Sequence, residues 1–382
     1  MGIVVGIDAS RSRSGGARAH LIGILNAGNI KEHGIKAVHV WSYDSLLESL
    51  PTKDWLIKHS PKVLQGGLLR QVLWQRFSFP RIARKFGCDV VLNTDAGSVA
   101  RFRPSVTMSR DALSYEPNEM KRYGLSKARL RLILLKYIQN FSLRAAEGST
   151  FLTEYIANLI QKSTGSLRRI KVIPHGVGEE FRNTQKRSWP RDGEIIRLVY
   201  VSNIAPYKHQ WMVVRAVSKL VQKGYNLQLK LVGSTDGGKA QALLDKAVAE
   251  CDPRGTFVSQ AGQTPNHSLP SLLSESDLFV FASSCETISN TLLEAMANGL
   301  PIACSNRGPM PEVLEDAGVY FDPEDAASIA DAIEMLLADS KLRQNNADRV
   351  LCISKKYSWI RCADETWAFI KDTFEFYKNN EK

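Results

Sequence analysis

Short apolar runs separated by longer stretches of helical period recur along this chain in two series, and that alternation limits the architectures it can adopt. The first series lies at 3–7, 37–41, 89–92, 106–108, 149–152 and 170–173, the second at 197–201, 228–232, 256–259, 278–281, 301–304 and 318–321. Runs this short, spaced by amphipathic stretches such as 17–28, 239–250, 289–297 and 326–337, read as parallel strands joined by crossover helices. Between the series, His175-Gly176-Val177-Gly178 gives way to a polar, proline-containing stretch, which places a linker near 174–191. With 382 residues, two doubly wound, Rossmann-like α/β domains in tandem are expected, at 1–185 and 190–358. A last helix, about 359–382, carries Trp359, Cys362, Ala363, Thr366, Trp367, Ile370, Phe374 and Tyr377 near helical spacing; its apolar face fits either domain.

Charge and cysteine content narrow the function classes. In residues 1–190, 30 Lys and Arg stand against 14 Asp and Glu, a net +16; residues 191–382 hold 20 against 25, a net −5. A basic first half suits nucleic acid, anionic lipid or a phosphorylated small molecule. Nucleic acid is disfavoured, since no RNP-type, zinc-finger or helix-turn-helix signature occurs. Segments 68–85 and 125–144 interleave Arg and Lys with Leu, Trp and Phe as an interfacial helix does, although core helices with solvated basic faces read the same way. No apolar run reaches the roughly 18–20 residues of a membrane span. The start lacks a basic n-region and Gly6 breaks the myristoylation pattern, so a cytoplasmic protein, peripheral on the inner membrane face, is expected. Six cysteines are scattered singly and read as reduced core residues.

The densest chemistry lies in 283–301, SSCETISNTLLEAMANGLP, directly after the apolar run 278–281. Ligands of open α/β sheets bind beyond the carboxyl ends of strands. Ser289 is a good N-cap, and the amides of Asn290, Thr291 and Leu292 behind it suit a phosphate or diphosphate. Glu286 precedes the helix and Glu294 follows eight positions on, so that the two carboxylates bracket one ligand, or else are an ordinary loop and an ordinary helix residue.

This segment resembles the Glu-x7-Glu signature of the retaining glycosyltransferases of family 4, through Glu294-Ala295-Met296-Ala297 to Gly299 and Pro301. Arg307-Gly308-Pro309-Met310-Pro311-Glu312-Val313 and Phe321-Asp322-Pro323 are similar to the family's downstream stretch. The resemblance covers about 170–340 and is looser before that. It implies the GT-B fold, two Rossmann-like domains facing across a cleft, with Glu286 contacting the donor sugar and Glu294 the ribose, and the amides near Asn290 and Thr291 receiving the diphosphate. Val201-Ser202-Asn203-Ile204-Ala205-Pro206-Tyr207-Lys208-His209 resembles the family's Gly-Arg-x-x-x-x-Lys-Gly stretch. Lys208 matches the lysine, while Asn203 stands where the family has Arg, so one leaving-group cation is missing; Arg11, Arg13, Arg18 and Arg307 are candidate substitutes.

In the first half, Ser14-Gly15-Gly16-Ala17-Arg18 resembles the family's glycine loop, and Gly15 and Gly16 would let backbone amides approach the donor diphosphate; a tight turn without a ligand reads equally well. Ser109-Arg110-Asp111 follows the run 106–108 where many relatives carry a His, making Arg110 and Asp111 acceptor-side candidates, with Asp111 equally readable as a cap. His175 reads as structural. No Asp-x-Asp and no metal-spaced His and carboxylate cluster occurs, so the resemblance implies a metal-independent enzyme with no cofactor and a nucleotide diphosphate sugar as co-substrate. The expected reaction moves a hexose from a GDP-mannose-like or UDP-sugar donor to a hydroxyl of a lipid-linked saccharide, in lipopolysaccharide or O-antigen assembly at an anionic membrane surface. A nucleotide-sugar epimerase of the same fold and an inactive partner subunit remain as alternatives.

Overall fold

Strands in both halves are rich in β-branched and aromatic residues and are buried on both faces, the pattern of parallel sheets covered by helices. The computed structural model describes residues 2–13, 15–182, 188–235 and 237–380. The chain divides into unit 1, Met1–Gly176 with Ser358–Lys382, and unit 2, Val177–Tyr357.

Unit 1 contains strands β1 (Ile3–Asp8), β2 (Ile35–Trp41), β3 (Leu56–His59), β4 (Val90–Asn93), β5 (Ser105–Met108), β6 (Gly148–Phe151) and β7 (Ile170–Val172). They form one parallel sheet in the order β3-β2-β1-β4-β5-β6-β7. Its helices are α1 (Gly15–Ala27), α2 (Asp44–Ser49), α3 (Leu68–Leu73), α4 (Phe79–Lys85), α5 (Lys127–Ala145) and α6 (Glu154–Thr164). In unit 2, β8 (Ile196–Val201), β9 (Leu227–Val232), β10 (Val258–Gln260), β11 (Leu278–Phe281), β12 (Ile302–Ser305) and β13 (Val319–Phe321) pair in the parallel order β10-β9-β8-β11-β12-β13. Its helices are α7 (Gln210–Gln222), α8 (Gly238–Cys251), α9 (Leu269–Ser274), α10 (Asn290–Asn298), α11 (Met310–Leu314), α12 (Ala326–Ala338) and α13 (Ser340–Ser354). Strand order reverses between β1 and β4 in unit 1 and between β8 and β11 in unit 2, and loops beyond such reversals are where open α/β sheets bind ligands.

The last helix, α14 (Trp359–Asn380), belongs to unit 1. Cys362, Ala363, Trp367, Phe369 and Ile370 join Leu21, Ile24 and Leu25 of α1 and Ile3, Val5 and Ile7 of β1 in one buried cluster. The boundary between units falls at Gly176/Val177, short of the expected 185. The turn Glu179–Phe181 buries Phe181 and packs against α10, so these residues go with unit 2. Segment 68–85 is not one helix but α3, a π-helical turn over Trp74–Ser78, and α4, with Pro80 at the start of α4. Of the cysteines, Cys88, Cys285, Cys304 and Cys362 are buried, whereas Cys251 is half-buried and Cys352 exposed, which corrects the reading of all six as core residues. Among the described residues no helix is long and apolar enough to cross a membrane.

Candidate active site

In unit 2 the strand order brings the loops after β8 and β11 side by side at the reversal point. The β8 loop carries Asn203 and Lys208, and its path is set from below by Gly233. That residue has φ +151, and a Cβ there would lie 2.1 Å from Ser202 O and 2.8 Å from Asn203 N, so only glycine lets β9 pass so close. The loop is fastened to its neighbour: Ser284 N donates to Tyr207 O at 2.8 Å, and Tyr200 Oη donates to Lys208 O at 2.6 Å. His209 closes the loop with φ +50, a left-handed conformation that favours glycine. Its Nε2 lies 2.8 Å from Ser284 Oγ, a contact that holds the strained residue in place.

These constraints bring Lys208 and Glu286 together. Lys208 Nζ forms an ion pair with Glu286 Oε1, the side chains being 8% and 14% exposed, and Nζ also lies over the rings of Tyr207 and Phe281 at 5.3 and 5.5 Å. A cation this deeply enclosed keeps its charge close to one position and is weakly screened. Beside the pair, α10 begins. Ser289 caps it, its Oγ accepting from Leu292 N at 3.3 Å, and Leu293 N makes the first main-chain bond back to Ser289 O. The capped Leu292 amide is therefore spent inside the helix, a correction to the three-amide expectation, and Asn290 and Thr291 are the amides ahead of it. Thr291 Oγ1 donates to Val201 O at 3.0 Å, which ties the N-terminus of α10 to the end of β8. The lysine's charge is balanced by Glu286, and the N-terminus of α10 beside the pair supplies the positive end that suits an anion.

One turn into α10, Glu294 is half-buried, and its carboxyl is pushed up to about 7, chiefly by burial and further by the nearby Glu180 carboxylate. A carboxyl without a cation beside it is suited to hydroxyl groups of a ligand. Gly308, φ +59, sits with its Cβ position 3.8 Å from Ser284 O and 3.9 Å from Glu286 N, so the loop after β12 packs onto the Glu286 loop.

Residues 181–349 match the family model described as Glycosyl transferases group 1. The chain is 36% identical over 116 residues to O-antigen chain mannosyltransferase B of Escherichia coli, a match covering 30% of either chain. Two solved structures share the fold over nearly the whole chain: Anabaena HepE in complex with UDP and glucose, with TM-score 0.70, 18% identity and 99% and 100% of the two chains covered, and WaaG, described as a glycosyltransferase involved in lipopolysaccharide biosynthesis, with TM-score 0.68, 15% identity and coverage of 96% and 99%. Residues 181–349 are thus similar to the group 1 glycosyltransferases, and the chain shares the GT-B fold of these solved structures.

The candidate substitutes for the missing arginine at Asn203 are engaged elsewhere. Asn203 is exposed, and its carbonyl accepts from Gln210 Nε2 at 3.0 Å. Arg307 pairs with Asp322 at 2.8 Å. In unit 1, Arg11 donates to Gly97 O, Arg13 to Leu64 O at 3.2 Å and Arg18 to Ser45 O at 3.3 Å. Gly15 and Gly16 form the first turn of α1, with nothing within 4 Å of a Cβ placed on Gly15; Ser14 lies outside the described residues.

Arg110 and Asp111 stand at the carboxyl end of β5 and diverge. Asp111 Oδ1 accepts from Leu113 N at 2.9 Å, an Asx turn, and Gln139 Nε2 lies 3.4 Å from Oδ2; burial raises the carboxyl above its usual range. His175 is buried with its ring 4.8 Å from that of His20 and 5.8 Å from that of Trp359. Sequence reasoning missed His20, whose helical neighbours hid it, and His209, whose signal was a bulky residue where the family's motif has glycine. Among the described residues no group of three or more His, Cys, Asp or Glu is placed to hold a metal ion.

Proposed function

We propose that this glycosyltransferase moves a hexose, with retention of anomeric configuration, from a nucleotide diphosphate sugar to a hydroxyl of a lipid-linked saccharide in lipopolysaccharide or O-antigen assembly. The observation that carries the reading is the enclosed Lys208–Glu286 pair beside the N-terminus of α10, an anion seat and a sugar-facing carboxylate on adjacent loops. Lys208 and the Asn290 and Thr291 amides take the diphosphate, Glu286 the sugar hydroxyls and Glu294 the ribose. The acceptor oxygen bonds to C1 on the face from which the phosphate leaves, the C1–O phosphate bond breaks, and the acceptor's proton passes to the departing phosphate oxygen. Fixed positive charge at that oxygen stabilises the transition state more than the ground state. No metal or covalent intermediate enters this course.

The likeness to the E. coli mannosyltransferase supports transfer of mannose, and HepE's complex with UDP and glucose supports a UDP-sugar. Within unit 1, Gly15 and Gly16 are assigned to the donor diphosphate and Arg110 and Asp111 to the acceptor, and the basic, apolar surface of α3 and α5 is assigned to an anionic membrane, which makes the protein peripheral on the cytoplasmic face. Incubation of purified protein with GDP-mannose or UDP-glucose and a polyprenyl diphosphate-linked saccharide is expected to yield the extended lipid-linked product and free nucleotide diphosphate. Epimerised sugar without acceptor would instead identify an epimerase, and undiminished pathway output from Lys208→Ala and Glu286→Ala in cells an inactive partner subunit.

A further inference from the structure

We infer that Arg110 and His20 form a subsite in unit 1 for a phosphoryl group carried by the acceptor. The inference rests on the acceptor-side assignment of Arg110 proposed above and adds the chemical class of what is bound. Arg110 continues the line of β5 beyond Met108, at the ligand-binding edge of the sheet. Arg110 is half-buried, its Nε is buried without a hydrogen-bond partner, and among the described residues its guanidinium makes no ion pair. Asp95 is close enough to support its charge but is itself taken up by Gly97 N at 2.6 Å, and Asp111 turns away to Leu113 and Gln139. A guanidinium presents five donors in a planar fork, and leaving a buried one such as Nε unpaired is costly unless a ligand fills it.

The neighbouring groups point to the same ligand. His20, on α1, is buried with both ring nitrogens unpartnered among the described residues, and burial, His175 and Arg110 all hold it neutral, so it offers one N–H donor. Thr150 Oγ1 is also buried without a partner, and Thr150 pairs with Met108, which places it on the sheet face shared by Met108 and, two residues on, Arg110. A guanidinium fork, an imidazole N–H and the Thr150 hydroxyl are donors on three different elements, a spread that suits the three oxygens of a phosphoryl group better than the single plane of a carboxylate.

Calorimetric titration of the full-length protein with inorganic pyrophosphate, and with farnesyl diphosphate in detergent, tests this. Binding is expected to survive Lys208→Gln, to weaken at least about tenfold in Arg110→Gln, and to be partly recovered in Arg110→Lys, which keeps the charge but loses the fork. Tighter binding of farnesyl diphosphate assigns the group to a lipid carrier; equal binding assigns it to a phosphorylated saccharide. Affinities for both probes that are the same in wild type, Arg110→Gln and Arg110→Lys overturn the inference. Should Arg110→Gln fail to fold, unchanged affinity in Arg110→Lys overturns it alone. UDP and GDP titrated into the same proteins report on the donor site separately. Their failure to bind wild type sinks the proposed function, whereas the Arg110 series is read from the diphosphate probes.

Discussion

Lys208 and Glu286 lie 78 positions apart and share an enclosed ion pair, so neither can be removed without exposing the other to an environment poor in compensation. Lys208→Ala is therefore expected to destabilise unit 2 by about 3–5 kcal/mol through the stranded carboxylate, and Lys208→Gln with Glu286→Gln by markedly less. Denaturant melts of the two single variants and the double variant measure this, and turnover should fall by at least about a hundredfold in all three. Glu294 gives a pH signature. Its folded value near 7 lies above the ordinary 4.5, so its contribution to stability is present below about 4.5 and is lost as pH rises through 7. Ribose hydroxyls donating to it need the ionised form, so nucleotide affinity should rise about tenfold between pH 6 and 8, and Glu294→Gln should flatten the profile. A pH-independent affinity in wild type would remove Glu294 from the ribose contact. Glu286, Glu294 and Lys208 were legible in the sequence because each sits at a fixed offset from a strand end. That Lys208 and Glu286 pair with each other was not, since strand order, not spacing, puts β8 beside β11.

At the level of elements, the N-terminus of α10 depends on one side chain. Ser289→Ala removes the Leu292 cap and is expected to cost about 1 kcal/mol and to weaken nucleotide binding, because the freed amide draws the first turn out of register with its ligand. Thermal melts with and without UDP or GDP read both effects. Docking of α14 makes a second case. Trp367 is fully buried against α1, and a Cβ on Gly28 would come 2.2 Å from its Nε1, so the helices approach through a glycine. Trp367→Ala should cost unit 1 about 3–5 kcal/mol and leave nucleotide binding by unit 2 intact. Twelve of the thirteen strands coincide with apolar runs visible in the sequence. The exception, β3, reads Leu-Ile-Lys-His and is half-buried at the sheet edge, where apolar periodicity fades. The fate of α14 was equally hidden, because its apolar stripe carries no mark of which surface covers it.

Over the whole molecule the charge is polarised, and unit 1 adds an apolar surface that folding alone does not explain. Helix α5 buries Gln139, Asn140 and Ser142 beside Leu143 and exposes Leu130, Leu134, Tyr137 and Phe141 along one stripe, with five basic residues and no acidic one. The exposed Leu73 and Phe77 of α3 and the π turn meet it at a shared hollow, where Arg101 lies 4.2 Å over the Phe141 ring. An exposed apolar stripe of this kind, flanked by Arg, is the composition of an interfacial membrane contact. Binding to phosphatidylglycerol vesicles should therefore be stronger than to phosphatidylcholine and should weaken with salt. Arg129→Ser with Arg131→Ser should lower affinity for anionic vesicles by up to about 30-fold, at about 1 kcal/mol per charge. Leu134→Ser with Phe141→Ser should weaken binding to both kinds of vesicle, because the apolar contribution does not depend on lipid charge. Co-sedimentation distinguishes these patterns, and binding indifferent to salt and to both pairs of substitutions would leave the exposed stripe to a protein partner instead of a lipid surface.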